Sequence, residues 1–418
     1  MNKFNVPHMS EDIKVPSEST VTLGFVDGDL TIGRGVTIKG EGVPPNVNVS
    51  GTITCSGNCI FECKLSARDF EGEHGDIAVR GDLEVRGDVE VQHGRLNVEG
   101  KLNAKNVDVD KSLVVGRDLE AEDVDVGGSL EVRGNTRVKT IDVGGSFRGV
   151  GEVKAEEIDV GGSVTIESEG EIEEIDVGGT VTLQGGRAGK IDVGGSFESK
   201  GSLKFDSIDV GGVVRLTGKN EGGDIDVGGS CRVDGDLNFK DIDVGGVIDI
   251  SGSAEGESLD VGGKVCVGGL MRLSSKLDVG GRIEVTDTLT AQAIDVGGNL
   301  QAREVTARDE VSVGGSIDTV GGVNSSYVEI GRRGKVTGPI RANEVLIGER
   351  AHVEDVYAGE ITMGGKAEAR NLYGERIRIE SGCRIQGEVH FTQSLESEKG
   401  VFYTKPPVRV EKLPQQPL

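Results

Sequence analysis

The chain has 418 residues, a net charge of −25, 68 glycines, no Trp and only 3% aromatic residues. A globular core of this length normally holds more large aromatics, and the acid excess argues against nucleic acid, which attracts Lys and Arg clusters. No apolar run of about 18 residues is present, so a transmembrane helix is not expected. The first residues, MNKFNVPHMSEDIKVP, lack the apolar stretch of a signal peptide. Six cysteines in this length are too few for a disulfide-stapled secreted domain, and the expected compartment is the cytoplasm.

Residues 1–20 carry two prolines in a polar mix and are predicted to be a flexible tail. Residues 21–395 are predicted to form one solenoid. Its early part shows short alternating pieces ending in Gly at residues 24–40 and 76–100. The segment Val107 to Leu113 (VDVDKSL) matches Val124 to Leu130 (VDVGGSL) 17 residues later, with Asp110-Lys111 in place of two glycines.

Residues 126–315 then hold VGG twelve times in register, at steps of 17 with rare slips to 16 or 18. A fixed period held this long is the signature of stacked identical units. Gly331, Gly348, Gly365 and Gly382 are read as continuing the count from Gly314 in steps of 17. Residues 396–418 contain four prolines with basic flanks and are predicted to be a second flexible tail, inert or a docking peptide for a protein partner.

Within the turn SLEVRGNTRVKTIDVGG (Ser129 to Gly145), Leu130, Val132, Val138, Ile141 and Val143 are apolar with polar residues between or beside them. Breaks fall at Arg133-Gly134-Asn135, Lys139-Thr140 and Gly144-Gly145. Three short strands and three corners predict an all-β, single-stranded parallel β-helix, triangular, with about 17 residues per turn. Roughly 22 turns at the usual strand spacing would span about 100 Å. The absence of Pro from residues 46 to 338 agrees, since most N–H groups would join a ladder. The glycine pair is read as a corner needing φ > 0 or close backbone approach. No helix pattern follows any copy, as a phosphate-cradling loop would require.

An Asp precedes VGG in eleven of the twelve copies, with Ser312 in the last. Asp142, Asp159, Asp176, Asp192, Asp209, Asp226, Asp243 and Asp260 belong to this column. Carboxylates about 5 Å apart repel by roughly 1 kcal/mol in water and by more in a drier setting. Two readings offset that repulsion: Asx-type turns in which each carboxylate accepts N–H groups at the glycine corner, or a column of bound cations. The calcium-binding nonapeptide repeat places its Asp after the glycines, an order this chain does not share.

Other chemistry is sparse. Cys55, Cys59 and Cys63 are four residues apart, which would put them on one face of a continuous strand, as buried thiols or as metal ligands with His74 nearby. Cys231 is placed in the core and Cys266 outside. The five histidines are read as falling in no repeat column, and none pairs with a nucleophile. The turns are too short for the carboxylate- and aromatic-bearing loops of β-helical polysaccharide enzymes. A period of 17 also departs from the 18-residue turn of hexapeptide acyltransferases. No enzyme and no cofactor are expected.

From Val328 to Phe391 the chain reads VEIGRRGKVTGPIRANEVLIGERAHVEDVYAGEITMGGKAEARNLYGERIRIESGCRIQGEVHF. This stretch resembles the core of the bactofilin (polymer-forming cytoskeletal protein) family, whose glycine-ended short strands precede a final turn like Ile379 to Gly387, here with Cys383 at an alanine position. Ile32 to Gly42 (IGRGVTIKGEG) is similar in flavour. The resemblance implies a right-handed β-helix with disordered tails that polymerises end to end without nucleotide. This chain is longer than the usual family core and lacks an apolar membrane-targeting cluster at its start.

Polymerisation has its own physical basis, because each end of a β-helix presents unpaired backbone groups and an open apolar core. The candidate contacts are Val21, Leu23, Leu30 and Ile32 at one end and Ile385, Val389, Phe391 and Leu395 at the other. The expected function is a cytoplasmic structural protein whose main partner is itself. The alternatives are a non-polymerising rod whose Asp ladder holds cations or a basic partner, and an exported adhesin, which would need a signal. Membrane association is left open.

Overall fold

The structure is a computed structural model that describes residues 12–414. Among these residues the chain forms 56 strands and no helix. It divides into two compact units, Met1–Gly211 and Gly212–Leu418. Each is a β-solenoid in which strands pair in parallel with the coil before and the coil after. Together they comprise about 23 coils of about 17 residues.

Unit 1 shows how the repeat sets the register. Ile141 and Val143 lie over Val124 and Val126 and under Ile158 and Val160, so equivalent side chains stack directly. Asp125, Asp142, Asp159 and Asp176 pair at steps of 17, and a step of 16 leads to Asp192. In unit 2 the ladder runs Asp226, Asp243, Asp260, Asp278 and Asp295, with a step of 18 before Asp278. These two slips are absorbed between strands, and further register shifts at Ala291/Ala293 and Gly374/Arg376 fall inside strands as bulges, so the inward face is kept.

Alternation places the core. Leu130, Val132, Ile141 and Val143 are buried, and each such aliphatic side chain contributes about 1.5–3 kcal/mol. Val138 is only half-buried. Thr136, 0% exposed, fills the inward place between Leu119 and Val153. Its hydroxyl has no hydrogen-bond partner. The break expected at Lys139-Thr140 is real in that coil, but strands Val153–Val160, Gly170–Val177, Gly186–Val193 and Leu203–Val210 run through the equivalent corner. There the chain bends without leaving the ladder.

Both expected tail boundaries move outward. Ile13–Val15 pairs with Leu30–Ile32, burying Val15, so residues 13–20 belong to the first coil. Phe402–Tyr403 pairs with Arg384–Ile385, and Val408–Arg409 with His390–Phe391. The cue is short apolar alternation, IKV and VRV, outweighed in the sequence by neighbouring prolines. Residues 1–11 and 415–418 of the expected tails lie outside the described residues.

The count of corner glycines beyond Gly314 also changes. Val345, Ile361 and Ile377 pair at steps of 16, so Gly364 rather than Gly365 follows Gly348, and Glu380 rather than Gly382 follows Gly364. The matching N–H bonds agree: Gly348 donates to Ile330 O, Gly364 to Ile347 O and Glu380 to Met363 O.

Candidate functional site

The glycine pairs of the array serve close approach, not a left-handed turn. None of them has a φ in the left-handed range. A Cβ on Gly144 would sit 2.4 Å from Gly127 O, and one on Gly145 would sit 2.4 Å from Gly128 O. Their stacking follows from the ladder spacing, and it makes the array a scaffold feature.

The Asp column is exposed from Asp142 through Asp209 and again at Asp243 and Asp260, while Asp278 is half-buried. The Asx-turn reading does not hold at the first corner glycine. Its N–H is taken by the preceding coil, Gly144 donating to Val126 O at 3.0 Å and Gly161 to Val143 O at 3.0 Å. Each Asp sits between two inward residues of its strand and so faces out. Partial desolvation, then the acidic neighbours on the adjacent coils (Asp125 and Glu90 for Asp108, Asp on both sides for the others), raise the carboxyls of Asp108, Asp176 and Asp260 above the ordinary range. Relief is local, as where Lys276 Nζ lies 2.7 Å from Asp278. Among the described residues no group of three or more His, Cys, Asp or Glu is arranged to hold a metal ion.

All six cysteines are free thiols. Cys55, Cys59 and Cys63 are buried but not on one strand: Cys55 ends Thr52–Cys55, while Cys59 and Cys63 flank Ile60–Glu62. Cys59 donates to Gly33 O at 3.5 Å, and a hydrogen bond between the thiols lowers Cys59 and raises Cys55. Burial pushes Cys63 and Cys231 up to about 12. Cys266 is half-exposed, 3.7 Å from Glu284.

The candidate end residues separate into covered and open. Leu30 and Ile32 are fully buried between Ile13–Val15 and the strand Thr52–Cys55, and Ile385 is buried between Ala369 and Tyr403. These three are therefore interior, because the solenoid extends by one short strand before residue 21 and by two short strands after residue 395. Val389 is buried as well. Leu23 is nearly buried and Val21 half-buried, on a strand paired only to Thr37–Gly40 among the described residues. Phe391 and Leu395 are half-buried. Phe402 (59% exposed) and Val408 (46%) stand out at this end and were missed, because both lie in the stretch read as tail.

Two side-chain columns escaped the sequence reading. Tyr357, Tyr373 and His390 pair in register, with the Tyr rings stacked at 4.8 Å and His390 edge-on at 5.5 Å, so His390 does belong to a column. Burial, then nearby carboxylates, pushes Tyr373 up to about 12. His74 and His93 likewise neighbour each other at 5.3 Å. The signal was present as steps of 16 to 19, diluted by the shift in coil length.

Along the side of unit 1 runs an open groove of about 1050 Å³. Its floor is Val49, Ala67, Val85, Ala104 and Ala121, and its rims carry Asn, Ser, Glu, Arg and Lys. At the same repeat position of unit 2, Tyr357, Ala358, Gly359 and Tyr373 line a cleft of about 180 Å³ with Leu413 and Pro414 against it.

Compared with protein families, curated proteins and solved structures, the chain matches none of them. No helix among the described residues is long and apolar enough to cross a membrane.

Proposed function

We propose that the protein is a non-enzymatic structural element, a cytoplasmic β-solenoid that assembles end to end into filaments or a scaffold without nucleotide. The observation that carries this reading is the last coil. Val389–Ser397 pairs with the coil before it along its length, but on its far side only His390 and Phe391 meet a strand, Val408–Arg409. Residues 394–397 thus offer an unpaired edge among the described residues, beside half-buried Leu395 and exposed Phe402. Such an edge is a template for another strand. The first coil has a matching property: Ile13–Val15 and Thr20–Leu23 each pair on one side only among the described residues. The net charge of −25 discourages sideways association, leaving the ends as the favoured contact. The resemblance of residues 328–391 to bactofilins points the same way.

Negative-stain electron microscopy and sedimentation of the purified chain test the reading. Filaments, or particles whose mass grows with concentration, are expected, and Leu395→Asp together with Phe402→Asp should shorten them. Dispersed single particles at every protein and salt concentration would remove the polymer.

A further inference from the structure

We propose that the lateral groove of unit 1 docks the C-terminal segment of a second copy of this chain, residues 405–414, as an extended Pro-containing peptide. The inference goes beyond assembly through the ends, because it concerns a side surface.

The argument starts from repeat position. Asn103, Ala104 and Lys105 precede Asp108 by five, four and three residues, and Tyr357, Ala358 and Gly359 precede Thr362 by the same offsets. Thr362 stacks under the strand carrying Leu346, which holds the Asp place of its coil. The two surfaces are therefore the same three columns, once in each unit. In unit 2 the channel is already met by Leu413 and Pro414, which shows that this surface accepts a Leu-Pro segment. The seat is a loose one, with Leu413 half-buried and Pro414 exposed.

Unit 1 offers a larger version. Tyr is replaced in the outer column by Asn48, Ser66, Glu84, Asn103 and Glu120, and the floor is small and apolar. That floor crosses five coils, about 19 Å at the usual strand spacing. Six or seven residues in the polyproline conformation span about the same length at ~3.1 Å each. To dock, the segment gives up the two-residue pairing of Val408–Arg409 with His390–Phe391 and the ion pair of Lys405 with Glu388, and a Pro-containing stretch that is already extended loses little further entropy. Charge favours the match. Residues 405–414 hold Lys405, Arg409 and Lys412 against one acid, Glu411, in a strongly acidic chain. The groove rims present Glu84, Glu120 and Glu122 beside Arg86 and Lys105.

The test is fluorescence anisotropy of a labelled peptide of residues 405–414 titrated with the full chain. Saturable binding is expected, weakened about tenfold by Ala121→Arg, which fills the floor with a cation. The exposed rim change Glu120→Lys should weaken it about threefold, and keeps the test open if the first variant folds poorly. A peptide carrying Leu413→Asp should not bind. Absence of saturable binding overturns the proposal. So does binding that is indifferent to both groove variants but lost with Tyr373→Ala, which would place the peptide in the unit 2 cleft. Displacement of the peptide by a β-linked hexasaccharide would assign the groove to a glycan and equally overturn it.

Discussion

The corner after the inward residue of the Asp-bearing strand is turned in two ways along this chain. In the array, two residues suffice: Val143 is followed by Gly144 and Gly145, and the next strand begins at Ser146. In the last coils of unit 2 four residues intervene, as from Ile347 to His352, and the third of them is left-handed: Arg333 (φ 61°), Arg350 (φ 60°), Lys366 (φ 60°) and Gly382 (φ 74°). The first coils of unit 1 use the same longer corner, with Glu18, Gly35 and Asn58 in the left-handed place. Within the VGG array the short corner excludes Cβ because glycine backbone lies directly above glycine backbone, whereas the earlier short corners Gln92-His93 (His93 φ 52°) and Asp110-Lys111 carry side chains. The long corner leaves room for side chains and instead asks one residue to adopt an unfavourable φ. Glycine is thus demanded by stacking in one region and only preferred, for conformational reasons, in the other.

Substitutions should divide the two regions sharply. Gly162→Ala would place its Cβ 2.3 Å from Gly145 O, whereas Gly365→Ala would meet nothing closer than Ser381 O at 3.5 Å. In urea titrations the first should cost about 1–3 kcal/mol, and the second should stay within about 0.5 kcal/mol. Equal losses would collapse the distinction. A smaller effect is expected at the left-handed place of the long corner. Arg350→Val should lose about 1–2 kcal/mol, because a β-branched residue tolerates φ near 60° poorly. Arg350→Gly should be close to neutral, since relief of strain is offset by the greater freedom of the unfolded chain. A neutral Arg350→Val in the same titration would mean that strain plays no part there.

The smallest effect belongs to the Asp ladder. The Asp176 carboxyl is raised above its ordinary 3.8 by partial desolvation and by Asp192 and Asp159. Folding therefore favours its protonated form, and its contribution to stability is full below 3.8 and lost as pH rises through the folded value. Asp176→Asn should raise Tm at pH 7 by about 1 °C, an effect kept small by solvent screening. The gain should vanish below pH 3.8, and a gain that persisted there would not come from charge.

Much of this molecule is written in its period. The twelve VGG copies predicted coils of 17 residues, the slips to 16 and 18, and the stacked Asp column, and the pairings of Ile141, Asp142 and Val143 with the coils on either side follow that count. The reading weakened wherever the corner lengthened. Past Gly314 the corner grows, and past Gly348 two coils shorten to 16, so a count of 17 landed on Gly365 instead of Gly364. It failed for Phe402 and Val408, whose strands are too short to outweigh Pro406 and Pro407 by composition alone.

What the sequence determined by itself was the repeating unit: which residues face inward, where the chain must turn, and that like must stack on like. Those properties are local and periodic, so they survive without knowledge of the neighbours. Only the tertiary structure decided why the corner glycines lack side chains, which end residues lie under a further coil, and that Ala104 and Ala121 floor a groove. Each of these depends on what sits one coil away, at a distance along the chain set by slips and insertions rather than by any single motif.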